Sequence, residues 1–123
     1  MQFVSTRGQS PAVGLSAAIA AGLAPDGGLY VPEVLPAPRA LQAGTSLADT
    51  AADLLAPFFA GDVLAEALPS ICREAFDFPV PLRALRNSGD HVLELFHGPT
   101  AAFKDIGARF LAGVLSRLQT GKG

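Results

Sequence analysis

The stretch Glu94-Leu95-Phe96-His97-Gly98-Pro99-Thr100-Ala101-Ala102-Phe103-Lys104-Asp105 decides how this chain is read. Val92-Leu93-Glu94-Leu95-Phe96 predicts a strand, since branched aliphatic and aromatic residues suit a pleated, partly buried surface. His97-Gly98-Pro99-Thr100 then breaks it, because glycine and proline favour turns. A helix over residues 101–118 follows, with Thr100 as its N-cap and Asp105 as a first-turn acid that offsets the helix dipole. Lys104 therefore stands in the first turn of a helix, directly after a glycine–proline loop that leaves a strand.

The chain has two lysines against seven arginines. Lys122 belongs to a Gly-Lys-Gly terminus, whereas Lys104 falls on a patterned helix. At about 100° per residue it shares a face with Ala108, Leu111, Leu115 and Leu118, and Phe103 flanks it. Asp105 and Arg109 occupy the polar edge as an i,i+4 pair in the favourable order. The positive end of the helix dipole and burial against leucines both disfavour an ammonium at Lys104. Both favour the neutral amine that attacks an aldehyde and forms a Schiff base, and the same helix end suits a phosphate-bearing cofactor. The alternative is a lysine that snorkels to water from the helix start.

Upstream, Phe3-Val4 begins a short strand that Ser5-Thr6-Arg7-Gly8 interrupts. A helix is predicted over residues 10–23, with Ser10 as N-cap and Pro11 at the first helical position. Pro25-Asp26-Gly27-Gly28 is a turn, and Leu29-Tyr30-Val31 a strand closed by Pro32. Pro36, Pro38 and Gly44 mark a surface loop. Ser46 caps a second helix carrying Leu47, Ala51, Leu54, Leu55 and Phe58 at helical spacing, with Asp49 in its first turn. Gly61-Asp62 starts an amphipathic segment that Pro69 interrupts and Pro79 and Pro81 end. Asn87-Ser88-Gly89-Asp90 is a turn. The sum is an α/β or α+β chain of three or four helices with few, short strands and no internal repeat.

Composition narrows the functional classes. The chain has 123 residues, half of them apolar and 16% charged, with mean hydropathy +0.36, so it carries the material for a core. Its 13 glycines and 10 prolines, without a period, fit neither collagen nor a disordered tract. A net charge of −2 leaves no basic footprint for nucleic acid. The single Cys72 forms no internal disulfide and reads as buried and inert. His91 and His97 do not make a metal site. No apolar run is long enough to span a membrane. The apolar stretch of residues 12–24 lacks the flanks of an export signal, so a reducing, cytoplasmic setting is expected.

The quoted stretch resembles the cofactor-lysine signature of the threonine synthase family, pyridoxal-phosphate enzymes of the tryptophan-synthase-β type. Ser5-Thr6-Arg7-Gly8 and Gly22-Leu23-Ala24-Pro25-Asp26-Gly27-Gly28-Leu29-Tyr30-Val31-Pro32 resemble the family's N-terminal domain, in the same order and at similar spacing. Ala101 departs from the pattern, where a larger apolar residue is expected. The resemblance implies a small N-terminal domain over residues 1–90. Residues 91–123 would begin a cofactor-binding domain of fold type II. It implies that Lys104 carries pyridoxal phosphate as a Schiff base. The freed amine would then move protons while O-phospho-L-homoserine and water become L-threonine and phosphate. Phe103 either packs on the cofactor ring or serves as a core aromatic of the last helix.

His97 either orients substrate or fixes the loop as a neutral imidazole. Arg7 either reaches a phosphate or pairs with a carboxylate such as Asp26 or Glu33. The sequence ends 19 residues after Lys104 and contains no glycine-rich phosphate loop after a strand. The chain is therefore expected to be the N-terminal portion of a larger enzyme, inactive by itself and partnered by the remainder of the catalytic chain. Two other readings stay open. One is a phospho-lyase acting on the same substrate. The other is a free-standing interaction domain that docks on a partner, or on itself, through an apolar helix face of Phe103, Phe110, Leu111, Val114 and Leu118.

Overall fold

Phe3 and Ser5 alternate with Val4 along the first strand, and both turn inward to buried positions. In the computed structural model, which describes residues 1–38, 40 and 45–120, this strand is β1 (Gln2–Ser5). It lies at the centre of a three-stranded antiparallel sheet between β2 (Val13–Gly14) and β3 (Tyr30–Pro32). Phe3 faces Val13 on one side and Pro32 on the other, and Ser5 faces Tyr30.

The first helix, α1 (Leu15–Ala21), is half the length predicted for residues 10–23. Two tertiary demands take its N-terminal half. Val13 is drawn into the sheet, and the Ser10 hydroxyl accepts the amide of Asp26 instead of capping a helix. The helix ends at Gly22, whose φ of 73° favours a residue without Cβ.

Ser46 does cap α2 (Leu47–Phe59): its hydroxyl accepts the amide of Asp49 at 3.1 Å and donates to the Asp49 carboxylate at 2.7 Å. Residues 60–67 form turns, where the sequence predicted an amphipathic helix. The Asp62 carboxylate there accepts both the amide and the hydroxyl of Ser16, tying this turn to α1. Pro69 starts α3 (Leu68–Ala75) instead of interrupting it, as suits a residue with no amide to donate. A hairpin of β4 (Leu82–Ala84) and β5 (His91–Leu93) precedes α4 (Lys104–Thr120). The strand predicted over residues 92–96 thus stops at Leu93, and its partner β4 had no sequence signal. Among the described residues, no helix is long and apolar enough to cross a membrane. Gly44 and Lys122 lie outside the described residues.

The core forms where α2, α3 and α4 meet and where Phe3 and Leu15 reach down from the sheet side. Leu68, Ile71, Cys72 and Val114 are fully enclosed, each aliphatic side chain worth about 1.5–3 kcal/mol of burial. Gly113 lets α4 approach closely, since a Cβ there would stand 3.2 Å from Ile71 Cγ2. Phe110 stacks on Phe76, with ring centroids 6.0 Å apart, and meets Phe59 edge-on at 6.2 Å. The apolar face read as a free docking surface is thus largely used inside the chain. Val114 is buried, and Phe110 and Leu118 pack on the core.

Arg109 also departs from expectation. It reaches past Asp105 to the end of α3, where Nε donates to the Ala75 carbonyl and Nη2 to the Glu74 carbonyl, both at 2.8 Å. Nη2 also meets the Asp77 carboxylate at 2.7 Å. A guanidinium satisfies carbonyls that α3 leaves without helical partners, which outweighs an exposed i,i+4 pair worth about 0.2–0.5 kcal/mol.

Candidate functional site

The hairpin and its exit loop deliver Lys104 to the surface. Leu85 and Asp90 close the hairpin turn through a backbone bond of 2.9 Å, and Gly89 takes a φ of 94° within it. Beyond β5 the amide of Glu94 still pairs with the Pro81 carbonyl, so the chain leaves the hairpin in register. His97 Nε2 then meets Glu94 Oε2 at 2.7 Å, and Arg83 Nε stands 3.8 Å from the other carboxylate oxygen. His97 is therefore held by a side chain of its own strand end, with the Phe96 ring 4.7 Å away.

The loop between His97 and α4 is folded around one carboxylate. Asp105 is only 3% exposed, and its Oδ2 accepts the Thr100 amide at 2.9 Å and the Thr100 hydroxyl at 2.8 Å. Thr100 was expected to accept from the helix; it donates to it instead, four residues before α4 begins. Gly98 packs against the same group, and a Cβ on it would come within 2.6 Å of Asp105 Oδ2. Ala101 carries a φ of 52°, a left-handed conformation that costs a residue with Cβ about 1–2 kcal/mol. The backbone bond from the Ala101 amide to the Gly98 carbonyl, 3.0 Å, closes the turn.

Lys104 is the first residue of α4 and is exposed, which agrees with the alternative of a lysine reaching water from the helix start and not with burial on its apolar face. The face behaves differently along its length. Leu118 packs on the core, Leu111 is 46% exposed, and Ala108 and Lys104 open onto a groove of about 620 Å³. The other walls come from Leu47, Val80, Leu93, Leu95, Phe103 and Ile106, so among the described residues Lys104 is the sole charged one in the lining. Phe103 is 73% exposed and is no core aromatic. Among the described residues, Lys104 makes neither an ion pair nor a side-chain hydrogen bond. The structure thus joins Lys104 and Phe103 in one apolar groove, but the leucines of α4 do not enclose the amine.

Arg7 lies elsewhere. Its Nη1 donates to the backbone carbonyl of Asp26 at 2.9 Å, so the contact to Asp26 is made through the main chain, not the carboxylate. That carboxylate collects the Ser5 hydroxyl and the amides of Gln9 and Gly28. The Ser5 bond is the largest influence on it, and despite partial desolvation its pKa falls to about 2. Cys72 is fully buried, which pushes its thiol pKa up and keeps it unreactive. Sequence reasoning missed the inward turn of Asp105 and the groove walls Leu47, Val80 and Leu93. The one signal available for Asp105 was a threonine five residues before an acid at a helix start.

Residues 2–76 match the family model described as threonine synthase N terminus. The chain belongs to the threonine synthase family. Threonine synthase of Pseudomonas aeruginosa is 40% identical over an alignment of 132 positions, which covers all of this chain and 28% of that protein. The crystal structure of PLP-bound threonine synthase from Brucella melitensis superimposes with a TM-score of 0.82 at 39% identity, over 97% of this chain and 28% of that one. Escherichia coli threonine synthase superimposes with a TM-score of 0.84 at 32% identity and the same coverage. The chain therefore spans just over a quarter of the length of these threonine synthases, and it shares their arrangement of helices and short strands.

Proposed function

We propose that this chain is the N-terminal portion of a pyridoxal-phosphate-dependent threonine synthase, with Lys104 as the residue that holds the cofactor. The observation that carries the reading is the placement of Lys104. Among the described residues, a primary amine without a competing partner stands alone among apolar walls at the start of α4, in a chain of this family.

The groove fits the cofactor's ring and aldehyde. Its apolar walls accept a flat aromatic ring, Phe103 lies beside the amine to pack on it, and an amine is the group that condenses with an aldehyde. Among the described residues the lining holds no second cation for a phosphate, a role that would fall to the remaining catalytic chain. When bound, pyridoxal phosphate supplies an electron sink for carbanion chemistry on the substrate. Lys104 would hold the cofactor at rest and, once released, carry protons at its Nζ while O-phospho-L-homoserine and water give L-threonine and phosphate. Closure of the groove over Lys104 by the remaining catalytic chain would supply the desolvation that favours a neutral amine.

The division at residue 90 between a small N-terminal domain and the start of the cofactor-binding domain belongs to this reading, as does a cytoplasmic setting. The decisive experiment is borohydride reduction of the complete protein with pyridoxal phosphate, followed by peptide mapping. The reduced cofactor is expected on Lys104, and label confined to another residue would overturn the assignment.

A further inference from the structure

Asp105 combines features that a merely solvated first-turn acid would not show. It is a carboxylate at 3% exposure, and no ion pair compensates it among the described residues. Its Oδ2 takes both donors of Thr100, and Gly98 is packed so tightly against it that no side chain fits there. Between Thr100 and Asp105 the chain passes through Ala101 in the left-handed region, a conformation that persists only where its surroundings impose it. The residue next to Asp105 in sequence is Lys104.

We propose that Asp105 is a positioning residue: by clasping Thr100 and Gly98 it sets the loop over residues 98–101 in the one shape that directs Lys104 into the groove. The carboxylate points into the loop while the neighbouring amine points out of it, since residues one apart on a helix are turned by about 100°. Fixing one therefore fixes the other. Thr100 supplies the specificity of the clasp, because its amide and hydroxyl converge on a single oxygen. Gly98 supplies its tightness, because any Cβ would push that oxygen away.

This inference rests on Lys104 being the cofactor residue, and its test separates the two ideas. In the complete protein, Asp105→Ala, Asp105→Asn and Gly98→Ala are compared with the parent. One readout is the rate of pyridoxal-phosphate and borohydride labelling at Lys104, quantified by mass spectrometry against total lysine labelling. The other is kcat and KM for threonine formation. Asp105→Ala and Gly98→Ala are expected to slow Lys104 labelling and lower kcat at least tenfold, with KM changed less than threefold. Asp105→Asn, whose amide oxygen still accepts from Thr100, should recover most of both. Gly98→Ala attacks the clasp from its other side and keeps the carboxylate, so it serves if Asp105→Ala does not fold. Parental labelling of Lys104 in folded Asp105→Ala or Gly98→Ala would overturn the positioning role while leaving the cofactor assignment intact. Absence of label on Lys104 in the parent would overturn both.

Discussion

The Ser5 hydroxyl donates to Asp26 Oδ1 at 2.7 Å, joining the end of the first strand to a turn 21 residues later. That bond is the hub of a cluster in which the same carboxylate also takes the amides of Gln9 and Gly28, while the Arg7 amide donates to the Ser5 hydroxyl. Gly28 is forced by this packing, since a Cβ there would collide with the Ser5 hydroxyl. The two sequence blocks around Ser5 and Asp26 are therefore one structural unit.

A pH dependence follows from the depressed pKa of Asp26, about 2 against an ordinary 3.8. The folded state binds the proton less readily than the unfolded state does. Its contribution is thus fully present above pH 4 and lost as the pH falls toward 2. The Tm difference between the parent and Asp26→Asn should be largest near neutral pH and close by pH 2. A difference that stays constant over that range would refute the assignment.

Asp62 should matter to stability through Ser16. Burial works against its charge, but the Ser16 hydroxyl and the amides of Leu64 and Ser16 outweigh this and lower its pKa. Asp62→Ala removes these bonds and leaves the Ser16 donors to water. Urea denaturation is expected to show a loss of about 1–3 kcal/mol, and Ser16→Ala should recover part of it in the double variant.

Cys72 has no exposed surface. Alkylation of the native protein at neutral pH should therefore track global unfolding and not direct attack on an accessible thiol. Cys72→Ser places a hydroxyl among Leu68, Ile71 and Val114, at a cost of about 1–3 kcal/mol. Rapid labelling of the folded protein would contradict the packing described above.

Ala101 gives a prediction of the opposite sign. Glycine at this position removes left-handed strain of about 1–2 kcal/mol and adds unfolded-state freedom worth about 0.4–1 kcal/mol. Ala101→Gly should be neutral to stabilising by roughly 1 kcal/mol, whereas Ala101→Val should destabilise, because branching at Cβ tolerates positive φ least. A thermal melt of the two variants distinguishes this from an ordinary loop alanine.

The isolated 123-residue chain is expected to show no turnover of O-phospho-L-homoserine, and Lys104→Ala in the complete protein to lose threonine formation by several orders of magnitude. Lys104→Ala should change the Tm little, since the side chain is exposed and unpaired. A steady-state assay beside a thermal melt checks both statements.

The sequence by itself was enough for the mixed helix-and-strand class, the Ser46 cap, the glycine–proline loop and the position of Lys104 at a helix start. These rest on local chemistry: capping, turn residues and spacing act within a few positions of one another. Only the tertiary structure decided that residues 10–14 serve the sheet and not a helix, and that Pro69 opens α3. It alone showed Arg109 crossing to the end of α3, and Asp105 turning inward on Thr100 while Lys104 stays exposed. Each of those outcomes depends on which distant group competes for the same donor, acceptor or apolar face. A helical pattern says which residues share a side, but only the packed neighbours say what that side meets.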